Sequence, residues 1–561
     1  MTSLTEFLEN YWRSLGDRRA VRKSRRYPPI SADRFRPAAK PVGSPHRGTE
    51  LINGRIRLDG DVMDLGENPV WALEPRSARA VESLHGFDWL DDLAAEGSPA
   101  SRTLAEHWTF EWIDRFGDGG PGWTATLTGR RVVRWLNHHA FLGTRLDTES
   151  RTRLETSLTR QIRFLTWRAE TAPSGLPKLE ALTGLAHGIA ANGLRPSVAI
   201  RTARLIADWV DRNIDAHGGM AERNPERLAK VLVLLSWSAE ALRVAGVDPD
   251  PLFGDSMTNA AKTLRGLRLG DGTLPRFHGG NAGPTALIDH TIAALGPPDS
   301  TGTESVMGFA RMASGVSVLV IDCGPWPTVR PSGAAYASTL AFEFSSARSP
   351  ILINAGPDTT SDGRRNEEAR SPAAHNTLWI VGGTGTAAGD AMPIRPDPPT
   401  WITTDTGRGH FSRAFVASHD GYSSVFGLVH TRRLELLDNG LTLQGEDRLS
   451  SDTIGDGKGR RRRTGRRSAT GHGFQVGFCL DPSVAAELDS DREVIRLTVA
   501  GGVWEFHQSG GTLSLRPATI IDAEDGTPVE TTRILLSSRI LEYESVIRWS
   551  LIQTNRHRML V

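Results

Sequence analysis

The sequence predicts an α+β chain of two parts, a helical region followed by an antiparallel β-sandwich. Apolar residues recur at intervals of three and four from about residue 76 to 295, and the period falls to two after about residue 305. The strand-like runs then follow one another without intervening helices, which favours an antiparallel sandwich over a βαβ sheet. With 561 residues, 39% of them hydrophobic and 15 of them Trp, the chain can fill two or more cores.

Composition narrows the classes. The formal net charge is +1, so any preference for an acidic ligand must come from a local patch, and no nucleic-acid partner is expected. Two cysteines far apart, Cys323 and Cys479, argue against a disulfide framework and a cysteine-built metal cluster. The N-terminus lacks a basic region followed by an apolar run and a cleavage site, which makes the cytoplasm the default and the periplasm the alternative. No stretch has the length and apolarity of a membrane span. There is no Gly-x-Ser-x-Gly elbow and no phosphate-binding loop.

The elements follow in order. Residues 1–20 read as a short amphipathic helix with Leu4, Phe7, Leu8, Tyr11 and Trp12 on one face. The Arg-, Lys- and Pro-rich stretch 22–48 reads as a solvated linker. Leu154, Leu158, Ile162 and Leu165 mark a helix behind the caps Asp147 and Thr148, and Leu205, Ile206, Trp209 and Val210 mark another. Asn224-Pro225-Glu226 offers a cap, a first-turn proline and a first-turn acid before Leu228, Val231, Leu232 and Leu235. Roughly eight to ten helices fit the region, and periodicity leaves bundle, solenoid and toroid all open. A border is expected in 296–304. Beyond it Val316, Val318 and Val320, then Leu340, Phe342 and Phe344, alternate with their neighbours. Asp438-Asn439-Gly440 and Gly501-Gly502 are hairpin turn signals. The run KGRRRRTGRR at 458–467 reads as a surface loop, with contact to an anionic polymer as the alternative.

Several phrases, in order, resemble the heparinase II/III-like family: Leu84-His85-Gly86-Phe87-Asp88-Trp89-Leu90, Gly218-Gly219-Met220-Ala221-Glu222-Arg223-Asn224-Pro225 and Leu267-Arg268-Leu269-Gly270-Asp271-Gly272 in the helical part; then Ser338-Thr339-Leu340-Ala341-Phe342-Glu343, Arg370-Ser371-Pro372-Ala373-Ala374-His375-Asn376-Thr377-Leu378, His419-Asp420-Gly421-Tyr422 and His430-Thr431-Arg432-Arg433 in the β-part. The resemblance spans about residues 70 to 555. With the N-terminal helix and basic linker read above taking 1–60, it implies an incomplete (α/α) toroid over 61–300 and a β-sandwich over 301–561. It also implies a cleft for an acidic polysaccharide, with no organic cofactor and a homodimer as one possible assembly.

Relatives cleave uronate polymers by β-elimination. That chemistry needs a group that neutralises the uronate carboxylate, a base for the proton beside it, and an acid for the leaving oxygen. On the resemblance, Tyr336, His375 and Asn224 are the catalytic candidates, with helix capping as the other reading of Asn224 and core packing that of Tyr336. Arg223, Glu222, Trp89, Asn376 and Tyr422 are the substrate-binding candidates, although a helical Trp is commonly core and the HDGY turn commonly structural. His375, Cys479 and Asp481 form a candidate zinc set, because Cys479 and Asp481 share a strand face.

The chain departs from relatives at Gly86, where they carry Tyr; at Met220, where they carry His; at Tyr336, where many carry His; and at Cys479-Leu480-Asp481, where a His-x-His is common. Methionine transfers no proton. A carbohydrate-binding homologue without turnover is therefore the second reading. A toroidal glycoside hydrolase using Asp88, Glu222 or Asp271 is the third.

Overall fold

In a computed structural model the chain is described apart from residues 1–3, 30, 32–34, 36, 38–42, 59, 67–68, 76, 297–305, 328–335, 358–362, 383–392, 395, 401, 409–412, 452–468, 523–526 and 556–561. The basic run 458–467 and most of the expected border therefore lie outside the described residues. The chain forms two compact units. The first takes Met1–Gly218, Ala229–Ala261 and Ala286–Gly296; the second takes Gly219–Leu228, Lys262–Thr285 and Pro297–Val561. One boundary between the units falls at 296/297, and two earlier segments also belong to the second unit.

The helical unit begins with α1 (Leu4–Ser24), which runs past the expected end at 20, and α2 (Pro45–Ile52), a helix that starts within the expected linker 22–48 and extends beyond it. Then come α3 (Ala78–Gly86), α4 (Asp88–Glu96), α5 (Pro99–Phe116), α6 (Ala125–Asn137), α7 (His139–Gly143), α8 (Thr148–Arg168), α9 (Leu176–Asn192) and α10 (Pro196–Asn213). α11 (Pro225–Val244) and α12 (Pro251–Leu267) start at prolines, and α13 (Thr285–Ala293) is last. Side-chain caps fix several starts: Ser77, Ser98, Thr124 and Asp147 each accept an N–H from the first turn. Its core is aromatic. Trp71, Phe87, Trp89, Trp108, Trp112 and Trp135 are buried in mutual contact, and the buried Arg131 guanidinium lies 4.0 Å from the Trp112 ring. Among the described residues no helix is long and apolar enough to cross a membrane.

Among the described residues the second unit is built on three antiparallel sheets. One has four strands in chain order: Phe309–Ser314, Ser317–Asp322, Phe342–Ser346 and Ser349–Leu352. A five-stranded sheet runs Thr512–Ile521, Pro528–Arg539, Gly473–Cys479, Leu378–Val381, Pro393–Ile394. The largest has eight strands, with Gly502–Ser509, Glu544–Asn555, Thr442–Ser451 and Leu428–Leu437 at its centre. Strand Leu428–Leu437 alternates buried and partly exposed residues, as a half-buried strand should. Ser317–Asp322 is buried throughout, so its alternating pattern understated its burial. The turn at Asp438-Asn439-Gly440 joins two of these strands with positive φ at all three residues.

The sandwich core stacks Trp549 between Phe342 (5.7 Å, 5°) and Phe506 (6.1 Å, 11°). Gly445, opposite Trp549 on the next strand, makes room for the indole: a Cβ there would lie 2.1 Å from its Cζ2. Gly445→Ala is therefore expected to lower unfolding free energy by about 1–3 kcal/mol through overpacking, measured by urea titration.

Candidate functional site

The second unit gathers five separated segments around one buried acid. Asp322 ends the central strand of the four-stranded sheet and is fully enclosed. Its Oδ1 takes a hydrogen bond from Arg223 Nη2, while Oδ2 takes one from Ser338 Oγ at 2.7 Å and faces His278 Nε2 at 3.1 Å. Burial alone would raise this carboxyl, but Arg223 and His278 outweigh it and hold the pKa well below the usual carboxylate range.

Arg223 stands at φ 52° and its guanidinium is fully engaged. Nε donates to Met307 O, Nη1 to Gly324 O and Pro325 O, and Nη2 to Gly308 O and Asp322, which matches the five N–H groups an arginine has. The ring of Phe309 lies 4.7 Å from the guanidinium carbon. Arg223 therefore ties the segments 307–308 and 322–325 together and has no donor left for a substrate carboxylate, contrary to its expected role.

Asn224 caps α11: its Oδ1 accepts from Arg227 N at 2.9 Å, and its Nδ2 donates to His278 O at 3.1 Å. The capping reading is thus real, and one N–H of the amide lies outside these two bonds. The loop 277–281 runs over it, so close at Gly280 that a Cβ would sit 2.5 Å from Asn224 Oδ1. His278 adopts φ 49°, and its Nδ1 is enclosed without a hydrogen-bond partner among the described residues.

Tyr336 and His375 meet edge to face, ring centroids 5.9 Å apart at 80°, and each is under a tenth exposed. Gly279, at φ 81°, lets the chain pass the tyrosine: a Cβ there would lie 3.1 Å from its Cε2 and 3.4 Å from its hydroxyl. His375 Nδ1 lies 2.9 Å from Ser371 O, so Nδ1 carries the proton and Nε2 the lone pair. Burial lowers the ring's pKa to about 4, so it is neutral at pH 7.

Behind the turn that carries His375 lies a second buried node. Arg432 donates Nε and Nη2 to Asp447, while Nη1 reaches Asn376 O at 2.6 Å and Leu340 O at 2.7 Å. Asp447 also accepts from His430 Nε2 and Trp549 Nε1. One guanidinium thus holds both the 338–340 turn and the 375–377 turn.

This unit matches a known family. The model named Heparinase II/III-like, C-terminal matches residues 303–550. That segment is similar to the C-terminal domain of the heparinase II/III-like family. Among solved structures, a heparinase III is similar over 99% of this chain and 91% of its own, with a TM-score of 0.68 at 12% identity. A mutant heparan sulfate lyase from Pedobacter heparinus is similar over 96% and 88%, with a TM-score of 0.58 at 13% identity. These show the shared fold: a helical N-terminal region with a sheet-rich C-terminal one. Among curated proteins, FtsZ-localized protein C of Caulobacter vibrioides is 26% identical over 531 residues, covering 91% of this chain and 88% of that protein.

Within the matched segment, two expected substrate contacts are structural. Asn376 is fully buried, its Nδ2 on Phe342 O and its Oδ1 on Cys479 N. The Tyr422 hydroxyl donates to Leu378 O at 3.1 Å, and burial pushes its pKa well above the usual phenol value. In the helical unit Trp89 is enclosed by Trp71, Phe87 and Trp108 and donates to Leu84 O, so it presents no face to a sugar. Glu222 pairs with Arg227 at 3.1 Å and is partly exposed. Nor is the zinc set assembled. Asp481 Oδ1 caps its own turn through Ser483, the Cys479 thiol is buried with its pKa raised, and His375 Nδ1 is held by Ser371. Among the described residues no group of three or more His, Cys, Asp or Glu side chains could hold a metal ion. Met220 is buried, so its thioether belongs to the packing.

His278, Asp322 and Asp447 carry no role in the sequence analysis, and Arg432 enters only within the phrase His430-Thr431-Arg432-Arg433. A further signal was the pair of glycines after His278, a pattern that lets a loop approach a side chain closely.

Acid sensitivity follows from the buried rings. His85, His187 and His375 are neutral when folded, with pKa lowered to about 4 by burial, against 6.5 in the open chain. Unfolded chains take up protons below pH 6.5 that the native state refuses until about pH 4, so this stability is full above pH 6.5 and lost as pH falls to 4. Each unit of separation is worth about 1.4 kcal/mol. Urea midpoints at pH 7 and 4.5 should differ clearly, with the lower value in acid.

Proposed function

We propose that the protein binds an acidic, uronate-bearing polysaccharide and cleaves it by β-elimination, with Tyr336 and His375 handling the proton. The observation that supports this most is the pairing of a buried tyrosine with a neutral histidine whose Nε2 carries the lone pair. In this reading one of the two accepts the proton beside the uronate carboxyl, and the tyrosine hydroxyl supplies one to the leaving oxygen. The second amide N–H of Asn224 is the donor assigned to the carboxylate, where charge builds in the transition state. Arg223 serves by holding this ground in place. The fold shared with heparinase III supports the class of reaction and leaves the polymer open.

The test is ultraviolet absorbance during incubation with a panel of uronate polymers and one neutral glucan. A rise with a uronate polymer alone supports elimination. New reducing ends without a rise would replace it with hydrolysis.

A second reading is favoured by the likeness to FtsZ-localized protein C along nearly the whole chain. In that reading the chain is a glycan-binding partner of the FtsZ apparatus that no longer turns substrate over, in keeping with Met220. Polymer binding without product, together with co-localisation with FtsZ, would establish it.

A further inference from the structure

The helical unit contains a cavity of about 1140 Å³, separate from the side chains discussed above. One wall is a face of α1 that presents Arg13, Asp17, Arg18, Val21 and Arg22. The helix is fastened there: Arg168 at the end of α8 bonds Asp17 at 2.7 Å and Arg13 O at 3.1 Å. Gly16 permits this crossing, since a Cβ there would lie 2.6 Å from Arg168 Nη1. The lining also includes Trp123, the first turn of α6 and Pro177 at the start of α9.

The charges around the cavity do not balance locally. Each acid in the lining already has a cation: Asp17 has Arg168, Asp118 has Arg25 and Arg160, and Glu82 has Arg130. Three of those cations, Arg168, Arg25 and Arg160, come from outside the lining. Arg18 and Arg22, four residues apart on the same face, make no hydrogen bond or ion pair among the described residues. Thr124 Oγ1 caps Leu127 N, so the Ala125 and Thr126 amides of α6 have no intrahelical acceptor. The cavity exceeds the usual size of a small-molecule pocket. A single small anion would leave most of it unfilled.

We infer that this cavity binds a stretch of polyanionic glycan several sugars long, with Arg18 and Arg22 pairing its carboxylate or sulfate groups. The choice of a glycan over another polyanion rests on the proposed function. Guanidinium groups suit both anions because their fork matches two oxygens at once. The contacts lie on an exposed wall, so the affinity should fall with added salt.

The experiment measures binding of a labelled heparin hexasaccharide and of a galacturonate oligomer to the full chain by fluorescence anisotropy. Wild type is compared with Arg18→Gln/Arg22→Gln, which touches no buried residue and should melt as wild type does. The expected result is a loss of about tenfold in affinity in the double variant, with polyglutamate of equal charge competing poorly. Unchanged affinity in the double variant, equal competition by polyglutamate, or no binding by wild type would each overturn the site. Turnover is read separately by ultraviolet absorbance: a weakened double variant without any elimination leaves this site standing and removes the proposed reaction.

Discussion

Arg432→Met should lower the stability of the β-rich unit by about 3–5 kcal/mol, the usual cost of breaking a buried pair from one side. Arg432 and Asp447 are both fully buried, and Asp447 accepts both parallel N–H groups of the guanidinium. Without Arg432 the Asp447 carboxylate keeps only the His430 and Trp549 donors, and the carbonyls of Leu340 and Asn376 lose their shared one. Leu340 is at φ 57°, so the turn that depends on this bond is also strained. The measurement is a urea titration followed by tryptophan fluorescence, with Asp447→Asn expected to be similarly damaging. A loss below about 1 kcal/mol would mean that water or a shift of the strands replaces the node.

Tyr336→Phe and His375→Ala should each reduce turnover of a cleaved uronate polymer by about 10²–10⁴-fold, the range for removing a positioned proton-transfer group. KM should change little, because neither group carries the bulk of polymer binding in this account. Tyr336→Phe removes one oxygen from a ring packed on His375 and Gly279, so its melting temperature should stay near that of wild type. His375→Ala also removes the donor to Ser371 O and should be somewhat less stable. A parallel loss of kcat and stability in both variants would assign the pair to packing instead.

Much of the fold was legible because its signals are local. The period-four apolar run and the Asp147 cap mark α8, and Asn224-Pro225 marks the start of α11. The hairpin at 438–440 was visible in its turn residues. The two segments 219–228 and 262–285 that join the second unit were not legible, since their helical neighbourhood says nothing about distant packing.

The site was legible only in part. Tyr336 and His375, 39 positions apart by their numbering, stand in or near family-like phrases, and their rings meet edge to face. Arginine suits carboxylate binding, yet the donors of Arg223 go to four backbone carbonyls and Asp322. Bonds to backbone carbonyls leave no mark in side-chain pattern. Trp89 and Tyr422 failed as sugar contacts for the same reason: Leu84 O and Leu378 O, which take their polar hydrogens, are backbone atoms. His278 and Asp322 lie on different segments, and no spacing rule links such residues before the chain folds.

The most direct test of the central claim compares wild type with Tyr336→Phe at matched polymer binding, following ultraviolet absorbance on a uronate polymer. The account predicts a steady rise for wild type and a rate lower by at least about 10²-fold for the variant. Equal rates in the two proteins would contradict it and remove Tyr336 from the chemistry.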